Sequence, residues 1–236
     1  MSSKERPDQS TPNVRIRYEY ARKFIQSLNK DIKILDIGCG EGWGSIVLAE
    51  FNVWAMDISF KSIRRAIRNN YNSKIIYSVM STEHLGYRNN IFDVVCCFEV
   101  IEHLDCPDCL LKEIKRVLKP NGILLLSTPN RNYTKSLLPN PFHKKEYYFA
   151  EIKNILECYF SIEEFKGINI CRARIGDIIR SSSPFKYYLK LKNKLGISNL
   201  ELPESFQDKI LPQTEERNIS DDYINSRMFL IRCVKN

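Results

Sequence analysis

The sequence predicts an α/β protein built on a doubly wound, mostly parallel β-sheet. Two observations carry this. Short, almost continuously apolar strand patterns alternate with helical ones from Ile32 to Thr128, as happens when a parallel sheet is covered on both faces. Directly after the first strand comes the glycine-rich stretch DIGCGEGWG, Asp36 to Gly44. Such a turn lets backbone approach a ligand beyond the carboxyl end of a strand. The chain has 236 residues and is 43% hydrophobic, which suits one domain of this class with a sizeable core.

The elements follow in order. Val14, Ile16, Tyr18, Ala21, Phe24, Ile25 and Leu28 recur at helical spacing, so an amphipathic helix opens the fold. IKILDI (Ile32 to Ile37) is the first strand. After the glycine turn a helix is expected to about Glu50. VWAMDI (Val53 to Ile58) is the second strand, and Ser59 caps a helix running to about Asn70. KIIYSV is the third strand and FDVVCCF the fourth. Asp105 and Pro107 open a helix that reaches Leu118, with KPNG as its stop signal. GILLLST is the fifth strand. Beyond Asn130 come a helix over Tyr148 to Glu157, a strand FSIEEFKG and a last strand SRMFLIRCVK.

Composition narrows the function classes. The longest aliphatic run, Ile123 to Leu126, is far too short to span a membrane. The N-terminal stretch lacks an apolar segment, so residues 1–13 read as a disordered leader and not a signal peptide. Residues 14–236 read as one domain with a basic, aromatic insertion at about 170–222. The formal net charge is +8. Between Arg172 and Lys194 seven basic residues face one acid, Asp177. That patch reads as a solvated face or as a site for a polyanion or an acidic membrane surface. Eight cysteines and no secretion signal point to reduced thiols and a cytoplasmic location. Cys106-Pro107-Asp108-Cys109 is a lone CxxC, without the two further ligands that a structural zinc needs.

The glycine turn alone is compatible with a dinucleotide. Two details weigh against that. The third dinucleotide glycine would fall on Trp43. Asp36 precedes the glycines, where a carboxylate repels a pyrophosphate and attracts a cationic ligand. Asp57 ends the second strand seventeen residues after Gly40 and is placed to accept hydrogen bonds from ribose hydroxyls.

Five segments in order, ILDIGCGEGWGS, VWAMDIS, FDVVCCFEVIEHL, LKEIKRVLKPNGILLLSTPN and NPFHKKEY, resemble class I S-adenosylmethionine-dependent methyltransferases over roughly Arg15 to Gly167. Within that class RYEYA and STPN…NPFH look most like the methyltransferases of glycan and polysaccharide biosynthesis. The resemblance implies a seven-stranded sheet with a C-terminal antiparallel hairpin. It implies that Asp36, Gly38 and Gly40 cradle the methionine part of S-adenosylmethionine, that Asp57 holds the ribose, and that Ile58 packs on adenine. Ser81 and Thr82 occupy the place where the family often has an Asp-Ala pair reading the adenine edge. Phe98 would line the methionine side. Tyr18 and Tyr20 are placed either to close over the cofactor or to pack in the helix, and His84 reads as a surface or lid residue.

The segment FEVIEHL sets Glu99, Glu102 and His103 at the end of the fourth strand, on one helical face. Three readings fit. His103 acts as a general base or orients the acceptor, since histidine titrates near neutrality. Alternatively Glu99, Glu102, His103 and His143 hold a divalent metal such as magnesium, in resemblance to small-RNA 3′-terminal 2′-O-methyltransferases with their E-x-x-E-H segment. Or the segment is structural. His143, in NPFHKKEY, either reaches the acceptor or orders a loop. The expectation is an O-methyltransferase with His103, Glu102 and His143 at the chemistry and a sugar, glycan-precursor or small-metabolite hydroxyl as acceptor. A metal-assisted RNA ribose methyltransferase and a non-catalytic cofactor-binding module are the alternatives.

Overall fold

The computed structural model describes residues 12–28, 31–70, 74–134, 140–170, 219–224 and 226–236. The leader (apart from its last two residues) and nearly all of the 170–222 insertion, with its basic patch, lie outside the described residues.

The helix α1 (Pro12–Gln26) is followed by β1 (Lys33–Ile37), β2 (Asn52–Asp57), α2 (Phe60–Asn69), β3 (Ile76–Val79) and β4 (Phe92–Phe98). Then come α3 (Pro107–Val117), β5 (Leu118–Pro129), the single turn α4 (Arg131–Thr134), α5 (Phe149–Glu157), β6 (Ser161–Ile170), β7 (Ile219–Ser220) and β8 (Ser226–Val234). All strands join one sheet in the order β3-β2-β1-β4-β5-β8-β6-β7. The first five are parallel, and β8 runs antiparallel between β5 and β6.

Alternation along the strands builds two cores. In register, Leu35, Val95 and Leu124 point to one face, where Leu110, Leu111, Ile114 and Val117 of α3 cover them. Ile34, Val53, Val94 and Leu125 point to the other, under Tyr18, Ala21 and Ile25 of α1 and Ile63 of α2. This two-sided burial explains why the central strands read as unbroken apolar runs. Ser59 caps α2 as expected, its Oγ accepting from Ser62 N at 3.2 Å.

The structure departs from the sequence expectation in four places. After the glycine turn there is a short 3-10 turn, Ser45–Leu48, instead of a full helix. Glycines at 42 and 44 favour no helix, and the Tyr18 ring fills the space a helical start would need. A Cβ built on Gly44 would lie 2.1 Å from Tyr18 Cε2. α3 ends at Val117, one residue before the expected Leu118, but the KPNG that follows is already strand: it lies inside β5, where the pairing with β4 shifts between Phe92 and Val94 and Asn121 adopts φ 61°. An eighth strand, β7, adds two residues to the edge of β6, pairing Ile219 with Ile168. Cys106 and Cys109 are not free thiols but a disulfide.

Gly44→Ala is therefore expected to destabilise the fold by about 1–3 kcal/mol through overpacking against Tyr18. Urea unfolding measures this. A midpoint equal to wild type would mean that α1 does not bear on the glycine turn.

Candidate active site

The strand order reverses between β1 and β4, the switch point at which a sheet of this kind opens a ligand crevice beyond its carboxyl ends. Two turns line it. They touch: a Cβ on Gly38 would lie 2.4 Å from Val100 Cγ2.

The first turn follows β1. Gly38 and Gly40 have φ of 72° and 55°, which side-chain-bearing residues rarely adopt. The amides of Gly38 and Cys39 both donate to Met56 O, at 2.8 and 3.0 Å, tying the turn to β2. Around Gly40 a Cβ would meet nothing within 4 Å, so backbone here faces open space. Asp57 ends β2, and each of its carboxylate oxygens takes one backbone donor. Oδ2 accepts from Gly40 N at 2.9 Å and Oδ1 from Ser59 N at 2.8 Å. A carboxylate has about four acceptor positions, so further hydrogen bonds remain for a ligand.

Asp36 lies beneath this turn, fully buried. Tyr18 OH donates to its Oδ1 at 2.8 Å and Ser45 Oγ to its Oδ2 at 2.6 Å. Burial pushes its carboxyl up to about 6, against the pull of these two hydroxyls. Asp36 thus anchors α1 and the turn together instead of facing the crevice. Phe98 is buried edge-on against Tyr18, with ring centroids 5.0 Å apart. Tyr20 turns away and donates to Glu164.

At the outer end of the crevice, Ile58 (74% exposed), Phe60 (68%) and Val79 (48%) leave apolar surface open at the ends of β2 and β3. Ser81 and Thr82 are half-buried beside them. Ser81 Oγ accepts from Glu83 N at 3.2 Å. His84 is exposed, and its ring meets only the neighbouring Glu83 carbonyl among the described hydrogen bonds.

The second turn follows β4. Glu99 takes φ 57°, a strained conformation for a residue with a Cβ. Ser127 holds it twice, through Glu99 N to Ser127 O at 3.0 Å and through Ser127 Oγ to Glu99 Oε1 at 3.0 Å. Arg17 of α1, 5% exposed, brings Nη1 to 3.9 Å from Glu99 Oε1. Glu102 is fully buried. Thr128 Oγ1 donates to its Oε2 at 3.1 Å, while Oε1 has no partner among the described residues. Burial first, then the nearby Glu99, pushes its carboxyl up to about 9, with Arg17 and Thr128 opposing.

His103 is exposed. Its Nδ1 lies 2.8 Å from Phe142 O. A carbonyl can only accept, so Nδ1 carries the proton and Nε2 keeps its lone pair. His143 is half-buried, with Nδ1 2.7 Å from Glu146 Oε1 and Nε2 2.9 Å from Asn140 Nδ2. The rings of His103 and His143 stand edge-on, 4.9 Å between centroids. Lys144 N and Lys145 N both donate to Glu102 O, at 2.8 and 3.1 Å. These contacts seat the 140–146 loop on the turn.

Glu102, His103 and His143 each place one ligand-type atom within 4.8 Å of the others. Glu99 is outside this group, held by Ser127. Arg17, Ser45, Ser127 and Thr128 carry no sign of these contacts in the sequence. Ser127 and Thr128 are the S and T of the quoted STPN word, and only the register of β5 beside β4 shows which carboxylates they reach.

Such a sheet, with an open glycine turn closed by an acid on β2 and a polar turn beside it on β4, is the architecture of S-adenosylmethionine-dependent methyltransferases. The chain belongs to the methyltransferase domain family, whose profile matches residues 14–169. It is 29% identical over 209 residues to the ubiquinone biosynthesis O-methyltransferase of Rickettsia typhi, covering 76% of this chain and 82% of that one. In fold it is similar to the PH0226 protein of Pyrococcus horikoshii, with TM-score 0.62, 16% identity and 98% and 94% coverage. It is similar too to a SAM-dependent methyltransferase of Methanosarcina mazei, with TM-score 0.58, 20% identity and 90% and 96% coverage. The protein is an S-adenosylmethionine-dependent methyltransferase. The open backbone at Gly40 and the remaining acceptor capacity of Asp57 fit that cofactor. No described helix is long and apolar enough to cross a membrane.

Proposed function

We propose that the protein transfers the methyl group of S-adenosylmethionine to a hydroxyl oxygen of a small molecule bound at the turn after β4. When bound, the cofactor supplies an electrophilic methyl on a sulfonium. Gly38 and Gly40 offer close backbone approach to its methionine part, with Asp36 fixing the turn from below. Asp57 accepts from the ribose hydroxyls. Ile58 presents apolar surface to the adenine, with Ser81 and Thr82 at its edge, and Phe98 backs the methionine side through Tyr18. His103 takes or steers the acceptor proton through Nε2. Glu102 stands beside it as a neutral acid able to hydrogen-bond the same hydroxyl, and His143 holds the loop that orients His103.

The observation that carries this reading is the bond from His103 Nδ1 to Phe142 O, which leaves Nε2 as an acceptor at an exposed crevice. The name of the R. typhi relative supports oxygen as the methyl acceptor. It gives no support to the sugar acceptor that NPFHKKEY suggested. Methyl transfer to catechol and to methyl α-glucoside, followed by mass spectrometry, tests both kinds of hydroxyl. Failure on every hydroxyl with transfer to an amine would overturn O-methylation.

A second reading has its own observation, the convergence of Glu102, His103 and His143. These would hold a divalent cation such as magnesium, with Glu102 giving up its proton to become a ligand. Two imidazoles and a carboxylate suit such an ion. Activity is then expected to vanish with a chelator and return with magnesium or manganese. Full activity after exhaustive chelation, with no metal by elemental analysis, would leave His103 as base or orienter alone.

A further inference from the structure

Among the described residues, cysteine placement separates one pair from the rest. Cys39, Cys96, Cys97 and Cys233 are free and buried, and Cys158 is free and exposed. Cys106 and Cys109 are joined by a disulfide and are both half-buried, within reach of solvent. Cys106 is the N-cap of α3, Pro107 its first residue, and Cys109 N donates back to Cys106 O at 3.2 Å.

The pair sits at the end of the acceptor turn. Two residues separate it from His103 in sequence. Between them Asp105 pairs with Lys144 at 3.1 Å, next to His143. With the Lys144 and Lys145 amides on Glu102 O and the Phe142 carbonyl on His103, this ion pair stitches residues 101–105 to the 140–146 loop. The disulfide fixes the far end of the first of these stretches.

A bond between cysteines only three positions apart is a weak staple, because the unfolded chain loses little freedom when so short a loop is closed. It is well placed for exchange instead. A helix N-terminus favours thiolate, and partial exposure admits a reductant.

We propose that Cys106 and Cys109 form a reversible thiol–disulfide site whose state sets how firmly the Glu102–His103 turn is held against the 140–146 loop. The reductant is a dithiol. One of its thiolates attacks a sulfur of the pair, breaking the S–S bond and forming a mixed disulfide. Its second thiolate then resolves that bond. Two electrons and two protons pass to the pair, which leaves as two thiols, and the dithiol leaves as a disulfide. The disulfide state holds the acceptor site assembled, and reduction loosens it. The effect on turnover rests on the methyl-transfer reading above, but the effect on the turn does not.

The experiment equilibrates the full chain at graded ratios of reduced to oxidised dithiothreitol. Mass spectrometry after alkylation reports the pair, and amide hydrogen exchange reports the turns. As the pair becomes alkylatable, exchange in 101–105 and 140–147 should quicken by about five- to tenfold, the lower end of intersite coupling. Exchange in the glycine turn, 36–44, should hold steady. Cys158→Ser should respond like wild type. The double variant Cys106→Ser with Cys109→Ser should stay at the reduced level at every ratio. Where catechol is methylated, its KM should rise on reduction while S-adenosylmethionine affinity stays put. The proposal is overturned if the pair is alkylated at every ratio, or if wild-type exchange is the same fully oxidised and fully reduced. Neither readout needs cofactor or acceptor, so a failure of O-methylation would be seen separately.

Discussion

His103→Ala is expected to lower kcat by about 10²-fold or more, the scale of positioned proton transfer, with S-adenosylmethionine affinity unchanged. The tautomer of the imidazole is the reason. Phe142 O accepts from Nδ1, so the lone pair is on Nε2 of an exposed ring. Alanine removes both this acceptor and the tie to the 140–146 loop. Glutamine separates the two losses, because it retains a hydrogen bond but cannot take a proton. Near-normal turnover in His103→Gln with an inactive His103→Ala would mean that the imidazole only orients the acceptor. Wild-type turnover in the alanine variant would make EVIEHL a packing word.

Asp57→Ala is expected to weaken S-adenosylmethionine by about 1.5–3 kcal/mol, the range for hydrogen bonds to a charged acceptor. Asp57 works twice. Its Oδ2 holds the amide of Gly40, the residue that opens onto the crevice, and both oxygens retain capacity for ribose hydroxyls. Asp57→Asn keeps one acceptor oxygen and should fall between. The comparison needs folded variants, which a cooperative unfolding transition above the assay temperature establishes. The acceptor turn lies on another strand, so kcat at saturating cofactor should move far less than affinity.

Most of the sheet was legible because its strands bury both faces. FDVVCCF is β4 residue for residue, and the helix at Tyr148 to Glu157 differs by one position. What could not be read was where local signals lose to tertiary ones. The glycine turn looked like a helix start, yet the ring of Tyr18, from a distant helix, occupies the space beside Gly44. KPNG does follow the end of α3, yet the chain bulges there within β5 instead of forming a plain turn. The CxxC looked like free thiols, since spacing alone does not show that Cys106 caps α3 and that its first turn brings the two sulfurs together.

The site was legible by residue and less so by role. The FEVIEHL word marked Glu99, Glu102 and His103 as a group, but sequence spacing gave all three one face. Glu99 instead takes a left-handed backbone and turns to Ser127, while Glu102 and His103 meet His143 across 39 residues or more. Asp36 likewise carried its acid into the right turn, but only the packing of α1 shows that Tyr18 and Ser45 take up both oxygens. Long-range hydroxyl partners of this kind leave no periodic trace in a sequence.

In the proposed function the turn after β1 holds the cofactor and the turn after β4 handles the acceptor. Calorimetric titration of S-adenosylmethionine into wild type, Asp57→Ala and His103→Ala tests that division most directly. The predicted result is equal affinity for wild type and His103→Ala, with Asp57→Ala weaker by about tenfold or more. Equal affinity in all three proteins, or a loss in His103→Ala as large as that in Asp57→Ala, would contradict it.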